Sequence, residues 1–369
     1  MQGVKVGFIV NPIAGMGGAV GLKGTDGDLV LKEAHARRAE KVSPARAIDA
    51  LAAISRKRLP VDFLACSGEM GGDELTESGI RFETVFEPGP TTSSADTIEA
   101  VRRFVSRGAE LILFAGGDGT ARDIIAVVGT GVPVIGVPSG VKMHSAVFAH
   151  KPEEAADLLE SFENSRATRE VEVMDVDEES YRRGVLQAKL YALAKVPDDV
   201  KHLQSSKAVY HSGSGDDEAE ELGHFVAESM ERGTYYILGP GSTTAAITKH
   251  LGEPKTLLGV DVVLDGKTVL QDASEESLLA ILGKGFRAVV VVTPIGSQGF
   301  IFGRGNQQIS SKVLKQVGSQ NVWVIATPTK LAGTPTVRVD TGDKELDETL
   351  RGRMRVLTGY KRKKLVPVQ

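Results

Sequence analysis

Phe114-Ala115-Gly116-Gly117-Asp118-Gly119-Thr120-Ala121-Arg122-Asp123 reads as the end of an apolar strand, a glycine turn, a carboxylate, another glycine, a hydroxyl and the start of a helix. The strand is Leu111–Ala115, and the helix is expected over Thr120–Val128. A helix start offers unpaired N–H donors and partial positive charge, which suits an anion. A carboxylate there repels a phosphate. Asp118 therefore makes better sense as the acceptor of a proton or hydrogen bond from a substrate hydroxyl, or as a metal contact. Taken alone, Gly-Asp-Gly is more often the mark of a plain helix cap.

The sequence on either side repeats the strand-then-helix pattern. Val4–Val10 is a short apolar run stopped by Asn11-Pro12, and Val61–Cys66, Phe82–Phe86 and Val132–Val137 are further strand candidates. Ser43-Pro44 opens an amphipathic helix running to Arg58, because serine caps and proline tolerates the first turn. Ser94–Arg107 places Ile98, Val101, Phe104 and Val105 on one face. Strands alternating with helices imply βαβ units and a parallel sheet. From Asn164–Arg169 the pattern loosens. Val171–Val176 and Tyr181–Leu193 alternate with polar residues, as antiparallel strands do. A helix follows at Glu218–Met230, a strand at Tyr235–Leu238, a helix at Thr243–His250, and strands at Leu257–Leu264 and Ala288–Thr293. Lys344–Leu357 reads as a charged amphipathic helix, followed by the basic run Tyr360–Lys364. The fold class is α/β, with an N-terminal parallel-sheet, Rossmann-like domain over 1–165 and a second, β-rich α/β domain over 166–335.

Composition narrows the function classes. Glycine makes up 42 of 369 residues, about 11% against a usual ~7%. There is no Gly-X-Y period and proline is only 15 residues, which excludes collagen and low-complexity disorder. Seventeen glycines fall in five windows, Gly15–Gly27, Gly116–Gly119, Gly136–Gly140, Gly239–Gly241 and Gly296–Gly305. These windows follow strand ends, where open α/β sheets bind ligands. A net charge of −4 argues against a nucleic-acid partner. The single cysteine, Cys66, rules out an internal disulfide and a cysteine-rich zinc site. No apolar stretch approaches the ~18 residues of a membrane span, and no signal-peptide pattern opens the chain. A cytoplasmic protein with no membrane partner is expected. Neither a Walker loop nor a complete Gly-x-Gly-x-x-Gly occurs, so the phosphate cradle must be of another kind.

Gly116-Gly117-Asp118-Gly119-Thr120 resembles the signature of the superfamily of NAD kinases, diacylglycerol and sphingosine kinases and, more distantly, 6-phosphofructokinases. Gly239-Pro240-Gly241-Ser242-Thr243-Thr244-Ala245 and Val292-Thr293-Pro294-Ile295 are similar to later motifs of NAD kinases. Asn11-Pro12 with Ala14-Gly15 and Gly17-Gly18, the stretch Val20–Gly27, and Gly303-Arg304-Gly305-Asn306-Gln307-Gln308 resemble the ATP-NAD kinase-like branch related to the AcoX proteins. The resemblance spans about Val4 to Leu357. It departs from standard NAD kinases at Asp175-Val176-Asp177-Glu178, where they carry an Asn-Glu pair, and at Pro138–Ser145, where they carry an asparagine-led glycine loop.

The resemblance implies transfer of the terminal phosphate of ATP, or of polyphosphate, to the 2′-hydroxyl of the adenosine ribose of NAD, giving NADP, with Mg²⁺. It makes Asp118 the acceptor of that hydroxyl proton. Gly116, Gly117, Gly119 and Thr120 would cradle phosphate, and Asn11 would touch the donor. Lys23 and Thr25 would lie beside the donor phosphates, with Asp26 holding Mg²⁺ through water. Gly241, Ser242, Thr243 and Thr244 would bind ribose or phosphate, and Asn306 and Gln307, with Arg304 and Gln308, would read an adenine or amide edge. Lys142 is a further candidate phosphate contact, and His144 is read as structural. The second domain would bind NAD, residues 336–369 would return to the first domain, and the site would lie in the cleft between the two. A homodimer or homotetramer is expected. The alternatives are a lipid kinase of the diacylglycerol or sphingosine type, a kinase for another hydroxylated acceptor, and a catalytically silent, AcoX-like nucleotide-binding protein. Each candidate also has an ordinary reading as a turn, a cap or a solvated loop.

Overall fold

A computed structural model describes residues 3–22, 28–140, 143–176, 188–199, 201–203, 215–295 and 299–369. The chain divides into two compact units. One is Met1–Met16 with Gly24–Ser206, the other Gly17–Lys23 with Lys207–Gln369. Among the described residues no helix is long and apolar enough to cross a membrane.

In the first unit, Val4–Val10 (β1), Val61–Cys66 (β2), Phe82–Phe86 (β3), Leu111–Gly116 (β4) and Val134–Pro138 (β5) form a five-stranded, all-parallel sheet ordered β3-β2-β1-β4-β5. The near-continuous apolar runs of β1 and β4 are buried almost throughout, as strands of a parallel sheet must be. The helices are Asp28–Ala36 (α1), Ser43–Lys57 (α2), Gly72–Glu77 (α3), Ser94–Ser106 (α4), Asp118–Val128 (α5) and Ala155–Ser165 (α6). In α2 the buried Ala47, Ala50, Leu51 and Ile54 recur at helical spacing. A capping box starts α4: Ser93 caps, and its own N–H donates to the Asp96 carboxylate at 2.9 Å.

Thr168–Val176 (β6) and Ala188–Pro197 (β7) form an antiparallel pair, as the alternating pattern suggests. They belong to the first unit because Val171, Val173, Ala194 and Val196 enter its core. This differs from the boundary expected at 165. Part of the strand expected over 181–193, residues 181–187, lies outside the described residues.

In the second unit the chain runs Gly215–Glu228 (α7), Tyr235–Leu238 (β8), Ser242–Leu251 (α8), Asp261–Leu264 (β9), Lys267–Leu270 (β10), Glu275–Leu282 (α9), Ala288–Val292 (β11), Phe300–Phe302 (β12) and Ser311–Val317 (α10). It continues through Val322–Ile325 (β13), Pro328–Gly333 (α11), Arg338–Val339 (β14), Lys344–Leu350 (α12), Gly352–Gly359 (β15) and Arg362–Val368 (β16). Its seven-stranded sheet is ordered β10-β9-β8-β11-β13-β15-β16, with β8, β11, β13 and β15 parallel and the outer pairs antiparallel. Period-two alternation divides the core into two layers. Ile237, Val290, Val292, Val324 and Val356 pack into one cluster. Tyr236, Leu238, Val289, Val291, Ile325 and Leu357 pack into the other, with Leu222 and Val226 of α7.

The charged helix expected over Lys344–Leu357 ends at Leu350. Asp343 caps it, accepting from the N–H of Leu346 at 3.0 Å. Gly352 then breaks the helix, and Val356 and Leu357 pair with Val324 and Ile325. The tail therefore completes the second unit's sheet, in contrast to the expected return of 336–369 to the first domain. The basic run lies partly in β16, an edge strand with exposed Arg362, Lys363 and Lys364. Charged residues on an edge discourage pairing with another chain.

A buried ion pair and a buried carboxyl bear on stability. The Lys255 ammonium lies 3.1 Å from the Asp261 carboxylate, and both side chains are almost wholly enclosed. Asp261 also accepts the N–H groups of Thr256 and Asp272, at 2.6 and 2.8 Å. Removing the carboxylate strands the ammonium. Asp261→Ala should therefore lower unfolding stability by about 3–5 kcal/mol in a urea titration. Glu74 is buried at the start of α3, and burial pushes its carboxyl up to about 7. The folded state then holds a proton that the unfolded chain releases above about pH 4.5. Its contribution to stability is full below pH 4.5 and is lost as pH rises through about 7. Glu74→Gln should be more stable than wild type by about 1–3 kcal/mol at pH 8, the difference shrinking toward pH 4.5 in the same titration.

Candidate functional site

In the first unit β1 and β4 are neighbours, yet β1 leads to β2 on one side and β4 to β5 on the other. The strand order reverses between them, and open α/β sheets bind ligands outside such a switch point. Asn11 and the Gly116–Thr120 turn leave the carboxyl ends of these two strands. Asn11 spans the gap: its Nδ2 donates to Thr120 Oγ1 at 3.0 Å, and its backbone N–H donates to the carbonyl of Ala115 at 2.9 Å.

Asp118 opens α5 in its first turn, and Gly117, not Asp118, occupies the capping position. The plain-cap reading does not describe this carboxylate. Its Oδ2 accepts the N–H of His144 at 2.6 Å and its Oδ1 that of Ser145 at 3.0 Å. A negative group is favourable at a helix start. The carbonyl of Gly116 accepts the N–H groups of Ser139 and Gly140 at 3.1 and 3.2 Å. The loops after β4 and β5 are thus tied together twice. A third loop joins them: Gly15 has φ +84°, and a Cβ there would lie 2.0 Å from the carbonyl oxygen of Ser139. Asn11, Gly116, Gly117, Asp118, Gly119 and Thr120 are therefore brought to one place. His144 is buried, as a structural residue would be. Lys142 lies outside the described residues, as do Lys23, Thr25 and Asp26. Among the described residues no group of three or more His, Cys, Asp or Glu could hold a metal.

The second unit has its own set of glycine loops. Gly239-Pro240-Gly241 leads from β8 into α8. Thr244 is fully buried, and its Oγ1 faces the carbonyls of Gly239 and Gly241, both at 2.8 Å, which fixes the loop. Thr243 is buried and Ser242 exposed, so Ser242 offers the hydroxyl open to solvent. Residues 17–22 belong to this unit. The carbonyl of Ala19 accepts the N–H of Glu275, and a Cβ on Gly18 would lie 3.0 Å from the Gln307 side chain. Asn306 is fully buried with its Nδ2 donating to the carbonyl of Ile301 at 2.8 Å. Arg304 is buried over the ring of Phe300, 3.6 Å from the Asp340 carboxylate. Those contacts hold Asn306 and Arg304 inside the loop.

One charged residue escaped sequence reasoning. Lys330, in α11, donates from Nζ to Thr293 Oγ1 at 3.1 Å, and burial pulls its ammonium down to about 8. The available signal was local: Thr327-Pro328 after the apolar Val322–Ala326 marks a helix start at a strand end, which sets Lys330 at the carboxyl end of a parallel strand.

The family model of the ATP-NAD kinase N-terminal domain matches residues 6–167, and that of the ATP-NAD kinase C-terminal domain matches residues 233–368. No curated protein matches the chain. Among solved structures, one described as "A putative diacylglycerol kinase from Bacillus anthracis str. Sterne" is 18% identical with a TM-score of 0.26. The match covers 48% of this chain and 47% of that one, so the chain spans about half the length of that protein.

The Gly15 contact can be tested against a glycine of the same backbone class. Gly108 has φ +79°, and a Cβ there would meet nothing within 4 Å. Gly108→Ala should cost about 1 kcal/mol of stability, the strain of the backbone alone. Gly15→Ala must also displace a carbonyl and should cost about 2–4 kcal/mol, both read from denaturant midpoints.

Proposed function

The chain belongs to the ATP-NAD kinase family, and on that premise we propose that it transfers the terminal phosphate of ATP, or of polyphosphate, to the 2′-hydroxyl of the adenosine ribose of NAD, giving NADP. The observation that carries this reading is the half-buried Asp118 carboxylate held at the β1/β4 switch point, at a helix start. Phosphoryl transfer asks a protein mainly for positioning and charge neutralisation. Backbone N–H groups at the Gly116–Thr120 turn supply donors for phosphate. Asn11, held to Thr120, borders the same turn.

In the reaction, Asp118 takes the proton from the ribose hydroxyl. The freed oxygen forms a bond to the terminal phosphorus, and the bond from that phosphorus to the bridging oxygen breaks, releasing ADP or a shortened polyphosphate. The N–H groups of His144 and Ser145 hold the carboxylate in place, so it has little freedom to turn away. Mg²⁺ at such sites rests mainly on phosphate oxygens and needs only one or two carboxylates, a requirement that Asp118 fits and to which Asp26 could add. When bound, the ion would neutralise charge on the transferring phosphate. On the acceptor side, Ser242 with its flanking Gly241, Thr243 and Thr244 is the proposed ribose or phosphate contact, and Gln307 a contact for an amide or adenine edge.

The purified protein, given ATP or polyphosphate, Mg²⁺ and NAD, should form NADP, measured by a coupled NADP-specific dehydrogenase. Asp118→Asn should lower kcat about 10²–10⁴-fold while remaining folded by circular dichroism. Formation of no NADP with either donor, or full activity in Asp118→Asn, would overturn the reading.

A further inference from the structure

We propose that Lys330, together with the start of α8, forms an anion site in the second unit that takes a phosphate group of a bound nucleotide. β8, β11 and β13 are adjacent and parallel, so the chain leaves their carboxyl ends at Gly239, Thr293 and Ala326 on one edge of the sheet. Thr293 joins two of these exits. A Cβ on Gly241 would lie 3.0 Å from Thr293 Cγ2, and the Lys330 ammonium is 3.1 Å from Thr293 Oγ1. Lys330 is thereby set one side chain away from the first turn of a ten-residue helix.

That helix start has no side-chain cap. Gly241 occupies the capping position, and the Thr244 hydroxyl is directed to carbonyls. Its first N–H groups have no partner within the helix and lie at the positive end of the helix dipole. Lys330 adds a full charge that the protein does not neutralise: among the described residues Thr293 is its hydrogen-bond partner and no carboxylate pairs with it. The contrast with Lys255 is direct. That enclosed ammonium has Asp261 at 3.1 Å and the carbonyls of Thr256 and Gly259 at 2.8 Å. Lys330 is only partly buried, yet an ammonium drawn away from water without a counter-charge is costly to the folded protein, as its lowered pKa also indicates. A bound phosphate would supply the missing charge and accept the helix N–H groups.

The inference uses the kinase reading only to name the ligand as a nucleotide. Whether the phosphate comes from the dinucleotide or from the donor is settled by the probes: NAD, ATP and inorganic tripolyphosphate, each titrated calorimetrically into wild type, Lys330→Met and Lys330→Arg. Lys330→Met should bind one of the three at least 10-fold more weakly, while Lys330→Arg stays within about 3-fold of wild type. The weakened probe identifies the source. Lys330→Met should also unfold at the same or higher urea concentration than wild type, the opposite of what a purely structural lysine would give. Unchanged affinities in a folded Lys330→Met, or no binding of any probe by wild type, would overturn the site. A site that survives this test in a protein that forms no NADP would leave the inference standing and the kinase reading fallen. NADP formation with unchanged kcat and KM in Lys330→Met would do the reverse.

Discussion

One carboxylate fixes the geometry on which the first unit's loops depend. Asp118 accepts two backbone N–H groups from consecutive residues, His144 and Ser145. Charge-assisted bonds of this kind are about twice as strong as neutral ones. They set the chain leaving β5 against the start of α5, and the Gly116 carbonyl repeats the tie from the other side. Ser145 passes the constraint onward, since its hydroxyl accepts the N–H of Met174 in β6 at 3.0 Å. The residue proposed to meet a substrate hydroxyl is therefore also the residue that organises its surroundings. If the turn serves as proposed, its hydrogen bonds are in place before a ligand binds, which is where pre-organised catalysis gains most.

Much of this was legible in the residues. β1, β2, β3 and β8 have the bounds that their apolar runs imply, because a short run closed by a proline or glycine within two residues (Asn11-Pro12, Ser67-Gly68, Glu87-Pro88, Gly239-Pro240) leaves little choice. The turn at Gly116–Thr120 was readable because glycine spacing and a helix start occur together. The unit boundary was not, because β6 and β7 bury only alternate residues, and nothing local states which core receives Val171 or Val196. The tail misled for a related reason. Lys344–Leu357 carries charge at intervals that suit a helix, while the pairing of Val356 with Val324 is a long-range fact. Lys330 is a lone lysine in sequence, and only the parallel sheet brings it to Thr293.

The two units meet the same problem at their strand ends with opposite charges. In the first, a carboxylate sits at a helix start and is held by backbone donors. In the second, a glycine-capped helix start has an ammonium as its near neighbour, one side chain away. Neither arrangement is a minimum-energy choice for an isolated loop. Each places a charged group beside a helix start where glycine keeps the backbone accessible.

The assignment of residues 17–23 to the second unit has a topological consequence. The chain passes from one unit to the other three times, after residue 16, after 23 and after 206. Neither unit is a contiguous stretch of polypeptide. A fragment beginning at 207 would leave the Glu275 N–H without the Ala19 carbonyl and the Gln307 side chain without Gly18 beneath it. A fragment ending at 206 would carry that same segment with nothing to receive it. The two halves are woven rather than strung, and a ribosome must deliver nearly the whole chain before its first glycine-rich segment can find its place.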